Sequence, residues 1–373
     1  MNTSLKATTA GTIRYRERFS NRVADEHFRQ SQELWMSSIG LGSYLGKADE
    51  KTDEGYRLAV KRAAELGCNV FDTAANYRYQ RSERSFGQAF SELFADGTLT
   101  REEIIVTTKG GFIPFDGSAP RSQQQMTLYL EETFIKPGIC RFEDFIQGSH
   151  CMTPGYLAHQ LDQSLRNLGL ECVDAYYIHN PETQLAEISK PEFYRRLAAA
   201  FEFLESAVAA GKIAFYGTAT WNGYRAPSGS QEFLSLERVA QTAREVGGEN
   251  HHFKIVQLPV NLAMIEAFTN ANQTVNGVKA SLLEAAAEFG VTVMASGSLS
   301  QSRLSDGLPP IVGEAFPGLR TDAQRALQFV RSTPGVTTAL VGMSQTAHVD
   351  ENLEVANVAP ASLEDYLKLF SKP

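Results

Sequence analysis

Four junctions along the chain share one pattern of hydrophobic and polar positions. In AAELGCNVFD, LRNLGLECVDAYYIH, SAVAAGKIAFYGTA and AAAEFGVTVMAS, a stretch with helical spacing stops at a glycine. A β-rich apolar run then follows within a few residues. Gly67, Gly169, Gly211 and Gly290 thus fall where a helix ends in a left-handed residue, a conformation glycine takes without strain. The helices carry one apolar stripe each. Leu157, Leu161, Leu165 and Leu168 recur at i, i+4, i+8 and i+11, and Phe86, Ala89, Phe90 and Leu93 at i, i+3, i+4 and i+7. Thr153 followed by Pro154 predicts a helix start, with the threonine as N-cap.

The strand-like runs have a different texture. EIIVTTK, CVDAYYIH, KIVQLP, VTVMAS and TTALVG are short and nearly continuous in apolar or β-branched residues. Strands covered on both faces of a parallel sheet read this way. With SIGLGS, CNVFD and IAFYGTA they make eight strands between Ser38 and Gly342, nearly every one followed by a helical segment. Eight βα units predict an α/β fold, a closed (β/α)8 barrel of the TIM type with long loops on its C-terminal face. An open dinucleotide-binding sheet would need GxGxxG after its first strand, and GLGSYLG (Gly40 to Gly46) has the wrong spacing. No Pro- or Ser-rich linker divides the chain. Residues 1–373 are therefore read as a single barrel domain with an N-terminal extension (1–35) and a long insertion (110–152) after the third strand. The insertion carries Phe112, Phe115, Tyr129, Phe134, Phe142 and Phe145. Those rings suit either a pocket wall or an accessory subdomain with its own small core.

Composition narrows the function. A formal net charge of -8 argues against nucleic acid as a partner, since phosphate contacts need a basic face. It also argues against binding an anionic membrane. No apolar run reaches the ~18 residues of a transmembrane span, and no signal-peptide core is present, so a cytoplasmic location is expected. The four cysteines are scattered without CxxC spacing, and Cys68 and Cys172 read as small buried hydrophobes. Cys140, His150 and Cys151 fit no common metal-ligand spacing, and His251 and His252 precede the sixth strand, on the face opposite an active site. No metal is expected. Nothing resembles a coiled coil, and a monomer or weak homo-oligomer is expected.

The polar residues that end the strands carry the chemistry. The second strand ends at Asp72, with Tyr77 in the loop beyond; the third ends at Lys109 and the fourth at His179. Barrel closure would bring all four over one mouth. A phenol has a reference pKa near 10, and bringing it to about 7 takes roughly 4 kcal/mol of phenolate stabilisation. A neighbouring ammonium supplies part of that, and a carboxylate holds the ammonium charged. An imidazole beside the phenol can hydrogen-bond a substrate oxygen. Such a set moves a proton to or from a carbonyl oxygen but contains no electron source, so a cofactor must carry any redox step.

The stretch GCNVFDTAANYRYQRSERSFGQAF closely resembles the signature of the aldo-keto reductase superfamily. So do VTTK, YYIHNPE, GKIAFYGTATWN, QLPVNL and the late GMSQTAHVDENL, over about Ser38 to Val358. The resemblance implies a barrel that reduces small-molecule aldehydes and ketones, or runs the reverse, with NADPH and less often NADH. It implies Tyr77 as general acid, Lys109 as the group that lowers its pKa, Asp72 as the partner of Lys109, and His179 as the group that orients the carbonyl. For the cofactor it implies Gln257 at the nicotinamide carboxamide and Gly42, Ser43 and Tyr44 at the end of the first strand. The loop SGSLSQSR would wrap the pyrophosphate through Ser296, Gly297, Ser298, Leu299, Gln301 and Arg303. Gly342, Ser344, His348, Glu351 and Asn352 would face the adenosine end. The sequence departs from the family at three points. Ala219 and Thr220 replace the usual Ser-Asn pair, Ser296 replaces the aromatic residue that stacks on nicotinamide, and Ser344 replaces the basic residue that grips the 2′-phosphate. The same superfamily includes channel β subunits that keep the fold and cofactor as sensors, so a slow or non-catalytic cofactor-binding protein is the alternative expectation.

Overall fold

The computed structural model describes residues 4–370. Eight strands form the core of the fold: β1 (Ile39–Gly42), β2 (Val70–Asp72), β3 (Ile105–Gly110), β4 (Val173–His179), β5 (Ile213–Ala219), β6 (Phe253–Pro259), β7 (Thr292–Ser296) and β8 (Thr338–Gly342). They close into a parallel barrel in which β8 pairs back onto β1, Gly342 beside Gly42. A helix follows each strand: α1 (Glu50–Glu65), α2 (Arg81–Ala95), α3 (Pro154–Leu168), α4 (Lys190–Ala209), α5 (Leu236–Gly247), α6 (Leu282–Glu288), α7 (Asp322–Ser332) and α8 (Thr346–Leu353). The fold is the (β/α)8 barrel that the eightfold repeat predicts.

The local signals account for the elements. Gly67, Gly169, Gly211 and Gly290 have φ of +93°, +64°, +73° and +64°, the left-handed region that stops each preceding helix. The stripes of α2 and α3 are buried at Phe86, Ala89, Phe90, Leu93, Leu157, Leu161 and Leu168. Pro154 opens α3 as expected, but Thr153 makes no side-chain cap. Its hydroxyl lies 3.3 Å from the Cys151 sulfur instead.

Apolar burial occurs in two layers. The outer one lies between the strands and the ring of helices. The inner one fills the barrel with Val70, Ile105, Ala175, Tyr177, Ile255, Met294 and Leu340, and Ala7, Leu34 and Met36 from the N-terminal segment join it. That segment forms a helix (Thr9–Glu17) and a hairpin (Phe28–Ser31 with Leu34–Ser37). Asn69 ties the hairpin to the barrel by accepting from Ser37 N at 2.8 Å and donating to Trp35 O at 2.8 Å. The N-terminal end of the barrel is thereby plugged, and its C-terminal end stays open for a site.

The insertion builds its own small core from Ile113, Leu130, Phe134, Cys140, Phe145, Cys151 and Tyr156. Of the aromatic residues expected on a pocket wall, Phe112 alone faces the main cavity. All four cysteines are free and buried. Among the described residues no cluster of three or more potential metal ligands occurs, and no helix is long and apolar enough to cross a membrane.

Candidate active site

Strand register brings the four titratable groups together. Asp72 on β2 lies beside Thr107 on β3, Lys109 beside Tyr177 on β4, and His179 beside Ala219 on β5. Because alternate side chains share a face, Lys109 sits on the same side as Thr107 and two residues higher. His179 stands two residues above Tyr177 in the same way. The stagger of a closed barrel thus carries the three groups up one interior wall toward the mouth.

Lys109 is buried, and its Nζ donates to Asp72 Oδ2 at 2.6 Å and to Thr73 O at 2.7 Å. The other carboxylate oxygen of Asp72 accepts from Thr107 Oγ1 at 2.7 Å and from Gln257 Nε2 at 2.8 Å. Tyr77, from the loop after β2, places its ring centroid 4.9 Å from Lys109 Nζ and 5.7 Å from the His179 ring. Tyr44 packs edge-on against Tyr77 at 5.0 Å.

Burial governs the protonation states. It raises the Tyr77 phenol well above its ordinary pKa, and the Asp72 charge and Tyr44 add to the rise. Burial therefore outweighs any help from the Lys109 ammonium over the ring face, and the phenol is held as the neutral acid. Burial also lowers the Lys109 ammonium, although the Asp72 carboxylate opposes that shift. His179 falls well below its ordinary value through burial first and then the Lys109 charge, which makes it a neutral imidazole.

Residues outside the tetrad hold it in place. Gln184 Nε2 lies 2.9 Å from His150 Nδ1, while Gln184 Oε1 accepts from Arg196 at 2.8 Å. An amide N–H facing Nδ1 leaves the proton of His150 on Nε2, which donates to the backbone carbonyl of His179 at 2.7 Å. A Cβ added to Gly111 would fall 2.8 Å from His150 Nε2 and 3.0 Å from His179 O. Glycine, at φ +141°, is what lets the insertion reach that carbonyl. His150 is thus neither a metal ligand nor idle packing. On the other flank, Arg78, Tyr79 and Gln80 run three left-handed residues in succession (φ +49°, +58° and +69°) directly after Tyr77. Arg78 anchors that turn through Lys47 O at 2.8 Å and Asp53 Oδ1 at 2.5 Å.

A cavity of about 630 Å³ opens over these groups, and Asp72, Tyr77 and His179 form part of its wall. Lys109 lies beneath the surface. Every cofactor position expected between Gly42 and Gly342 lines the cavity: Gly42, Ser43, Tyr44, Thr220, Gln257, Ser296, Gly297, Ser298, Leu299, Gln301, Arg303 and Gly342. Ser344, His348, Glu351 and Asn352 do not. They lie beyond the β8 end and on α8. Asn76, Asn180, Asn261 and Met264 line the cavity without having been singled out in the sequence. Asn180 and Asn261 follow His179 and the QLPV run directly, so proximity to a motif was the available signal.

The walls suit a nucleotide. Thr220 Oγ1 and His179 Nδ1 are buried without a hydrogen-bond partner, and both residues face the cavity. Ser300, Gln301 and Ser302 turn left-handed in succession (φ +46°, +55° and +69°) and lead to Arg303, the cation on the described wall.

A closed (β/α)8 barrel with a phenol, an ammonium, a carboxylate and an imidazole gathered at its C-terminal mouth defines the class. The pattern of the Aldo/keto reductase family matches residues 38–307, and the chain belongs to that family of oxidoreductases. It is 23% identical to L-glyceraldehyde 3-phosphate reductase of Escherichia coli O157:H7, over 90% of this chain and 88% of the relative. It is 24% identical to a putative voltage-gated potassium channel subunit beta of Schizosaccharomyces pombe, over 90% and 89%. Among solved structures, an aldo/keto reductase from Klebsiella pneumoniae in complex with NADP and acetate superposes with a TM-score of 0.60 at 22% identity, covering 93% of this chain and 94% of that one.

Proposed function

We propose that the protein reduces an aldehyde or ketone to an alcohol with NADPH, and that Tyr77 delivers the proton to the carbonyl oxygen. The observation that carries this reading is the half-buried, neutral phenol of Tyr77 set between the Lys109 ammonium and the neutral His179 ring at the cavity mouth. A phenol above its ordinary pKa remains a competent acid here, because the alkoxide formed at a reduced carbonyl is a much stronger base than phenolate. His179, uncharged, offers an N–H to the carbonyl oxygen and fixes its position beside Tyr77. Lys109 stands ready to stabilise the phenolate left behind, and Asp72 keeps the ammonium aimed there.

The nicotinamide cofactor supplies the hydride. Thr220 and the Gln257 carbonyl would hold its carboxamide, and the Ser296–Arg303 loop its diphosphate. Ser344, His348, Glu351 and Asn352 would serve the adenosine end. NADPH is placed ahead of NADH because the Klebsiella structure contains NADP, and fluorescence titration with both tests the order. A second reading, a cofactor-binding sensor with slow turnover, draws on the relative named a channel β subunit and on Ser296 in place of a stacking aromatic residue.

Replacement of Tyr77 by Phe separates the two readings. It should lower kcat for an aldehyde by roughly 10²–10⁴-fold while NADPH titrates as in the parent protein. Unchanged turnover would remove Tyr77 from the proton step, and a parent protein that binds NADPH tightly yet reduces nothing would favour the sensor.

A further inference from the structure

A second hollow, of about 450 Å³, opens beside the main cavity between the loops that follow β4 and β5. The two share Asn180 and Trp221 in their walls, so the second adjoins the main cavity beside His179. Its volume lies within the usual range for a ligand site.

Its chemistry is distinctive. Among the described lining residues there is no cation, and most of the polar groups are neutral amides and hydroxyls such as Asn180, Thr183, Asn222 and Gln231. Trp221, 43% exposed, offers an apolar face at the boundary between the hollows. Glu182, buried in the wall, accepts through Oε1 from the backbone N–H groups of Trp221 (2.7 Å), Asn222 (3.1 Å) and Gly223 (3.2 Å). Its second oxygen, Oε2, is buried with no partner, and so is the hydroxyl of Ser230. An unpartnered buried oxygen of this kind costs about 1–3 kcal/mol unless a ligand or water satisfies it.

We infer that this hollow is a subsite for the non-reacting part of the substrate, and that the part it takes is a hydroxylated ring such as a sugar. Phosphate is disfavoured, because no cation lines the site and two carboxylates, Glu182 and Glu232, do. A purely apolar group would strand Glu182 Oε2 and Ser230 Oγ. A pyranose meets both demands, with hydroxyls at its edge for the carboxylate and amides, and C–H faces for the indole. Placing the reacting carbonyl beside Tyr77 rests on the proposed reduction; the ring-binding site itself does not.

The test uses the full chain and a probe without a reducible carbonyl, methyl glucoside, followed by saturation-transfer NMR. Transfer should occur with the parent protein. Ala186→Trp, which fills the hollow from an exposed position, should abolish it. Ser230→Ala and Glu182→Gln should weaken it, and the glutamine carbonyl can still accept the three backbone N–H groups. In kinetics with NADPH, Ala186→Trp should raise KM for maltose, an aldose with a pendant ring, by about tenfold or more while kcat/KM for propanal stays within about twofold. Absent transfer in the parent protein, or transfer that survives Ala186→Trp, would overturn the subsite. Transfer that follows the expected pattern in a protein unable to reduce propanal would instead sustain the subsite and reject the reductase reading.

Discussion

Lys109 and Asp72 show how much a single residue can control here. Their pair is buried, and each of its polar atoms has a partner inside the barrel. Lys109→Met would leave the Asp72 carboxylate buried against two neutral donors. Removing one member of a buried pair costs about 3–5 kcal/mol, and urea unfolding of the variant should show a loss of that size together with lost turnover. The raised pKa of Tyr77 has a kinetic consequence with a definite sign. Under the proposed mechanism, reduction draws on the protonated phenol, which persists throughout the neutral range, so kcat for an aldehyde should be flat from pH 6 to 9. Alcohol oxidation needs the phenolate, and its rate should climb by about tenfold per pH unit while pH stays below the phenol's pKa. A falling oxidation rate on the alkaline side, measured in stable buffer, would refute the assignment.

Among the elements, the left-handed turn after Tyr77 is a strained one that bears directly on the tetrad. Three successive non-glycine residues at positive φ are costly, by roughly 1–2 kcal/mol each, so surrounding contacts must hold them. Asp53 on α1 does so by pairing with Arg78, whose side chain is 2% exposed, and with Arg81. Asp53→Ala should therefore destabilise the protein by about 3 kcal/mol, the low end for a buried pair because Asp53 itself is part-exposed. It should also lower kcat by misplacing Tyr77, although Asp53 touches none of the tetrad. Intact turnover in a folded Asp53→Ala protein would show that the turn holds without the clamp. The insertion teaches a related lesson. Its aromatic residues suited either a pocket wall or a small core of its own; most of them pack into such a core, and its contribution to the main cavity is one ring, Phe112, and one hydrogen bond, from His150.

Taken whole, the molecule holds several histidines neutral, and His150 and His27, away from the proton-transfer groups, matter for acid stability. Burial lowers His150 to about 4; burial, with the nearby Arg331 charge, lowers His27 to about 3. The unfolded chain protonates both near the ordinary value of about 6.5, so between pH 6.5 and 4 it binds more protons than the native state. Stability is thus at full strength above pH 6.5 and declines as pH falls through that window. By pH 5, His150 alone should account for about 2 kcal/mol of the loss. In urea unfolding at pH 7 and pH 5, His150→Gln should lose about that much less than the parent protein between the two values. Equal losses would mean that His150 titrates normally in the fold.

What the sequence determined by itself was everything that depends on neighbours along the chain. Glycine stops at Gly67, Gly169, Gly211 and Gly290, one-faced helices and doubly buried strands repeat eight times, and that repeat has one compact closure. The strand-end residues Asp72, Lys109 and His179 could be named because a parallel barrel puts all such ends at one mouth. Tertiary structure alone decided the rest, since each remaining feature joins segments far apart in sequence. The charge over the Tyr77 ring, the depth that keeps its proton on, and the reach of His150 to His179 all depend on burial and register. So does the hollow around Glu182, which exists only where two loops and the insertion meet. Hydrophobic periodicity records how each segment faces the core, but a desolvated phenol or an unpartnered carboxylate oxygen is a property of the assembled packing around it.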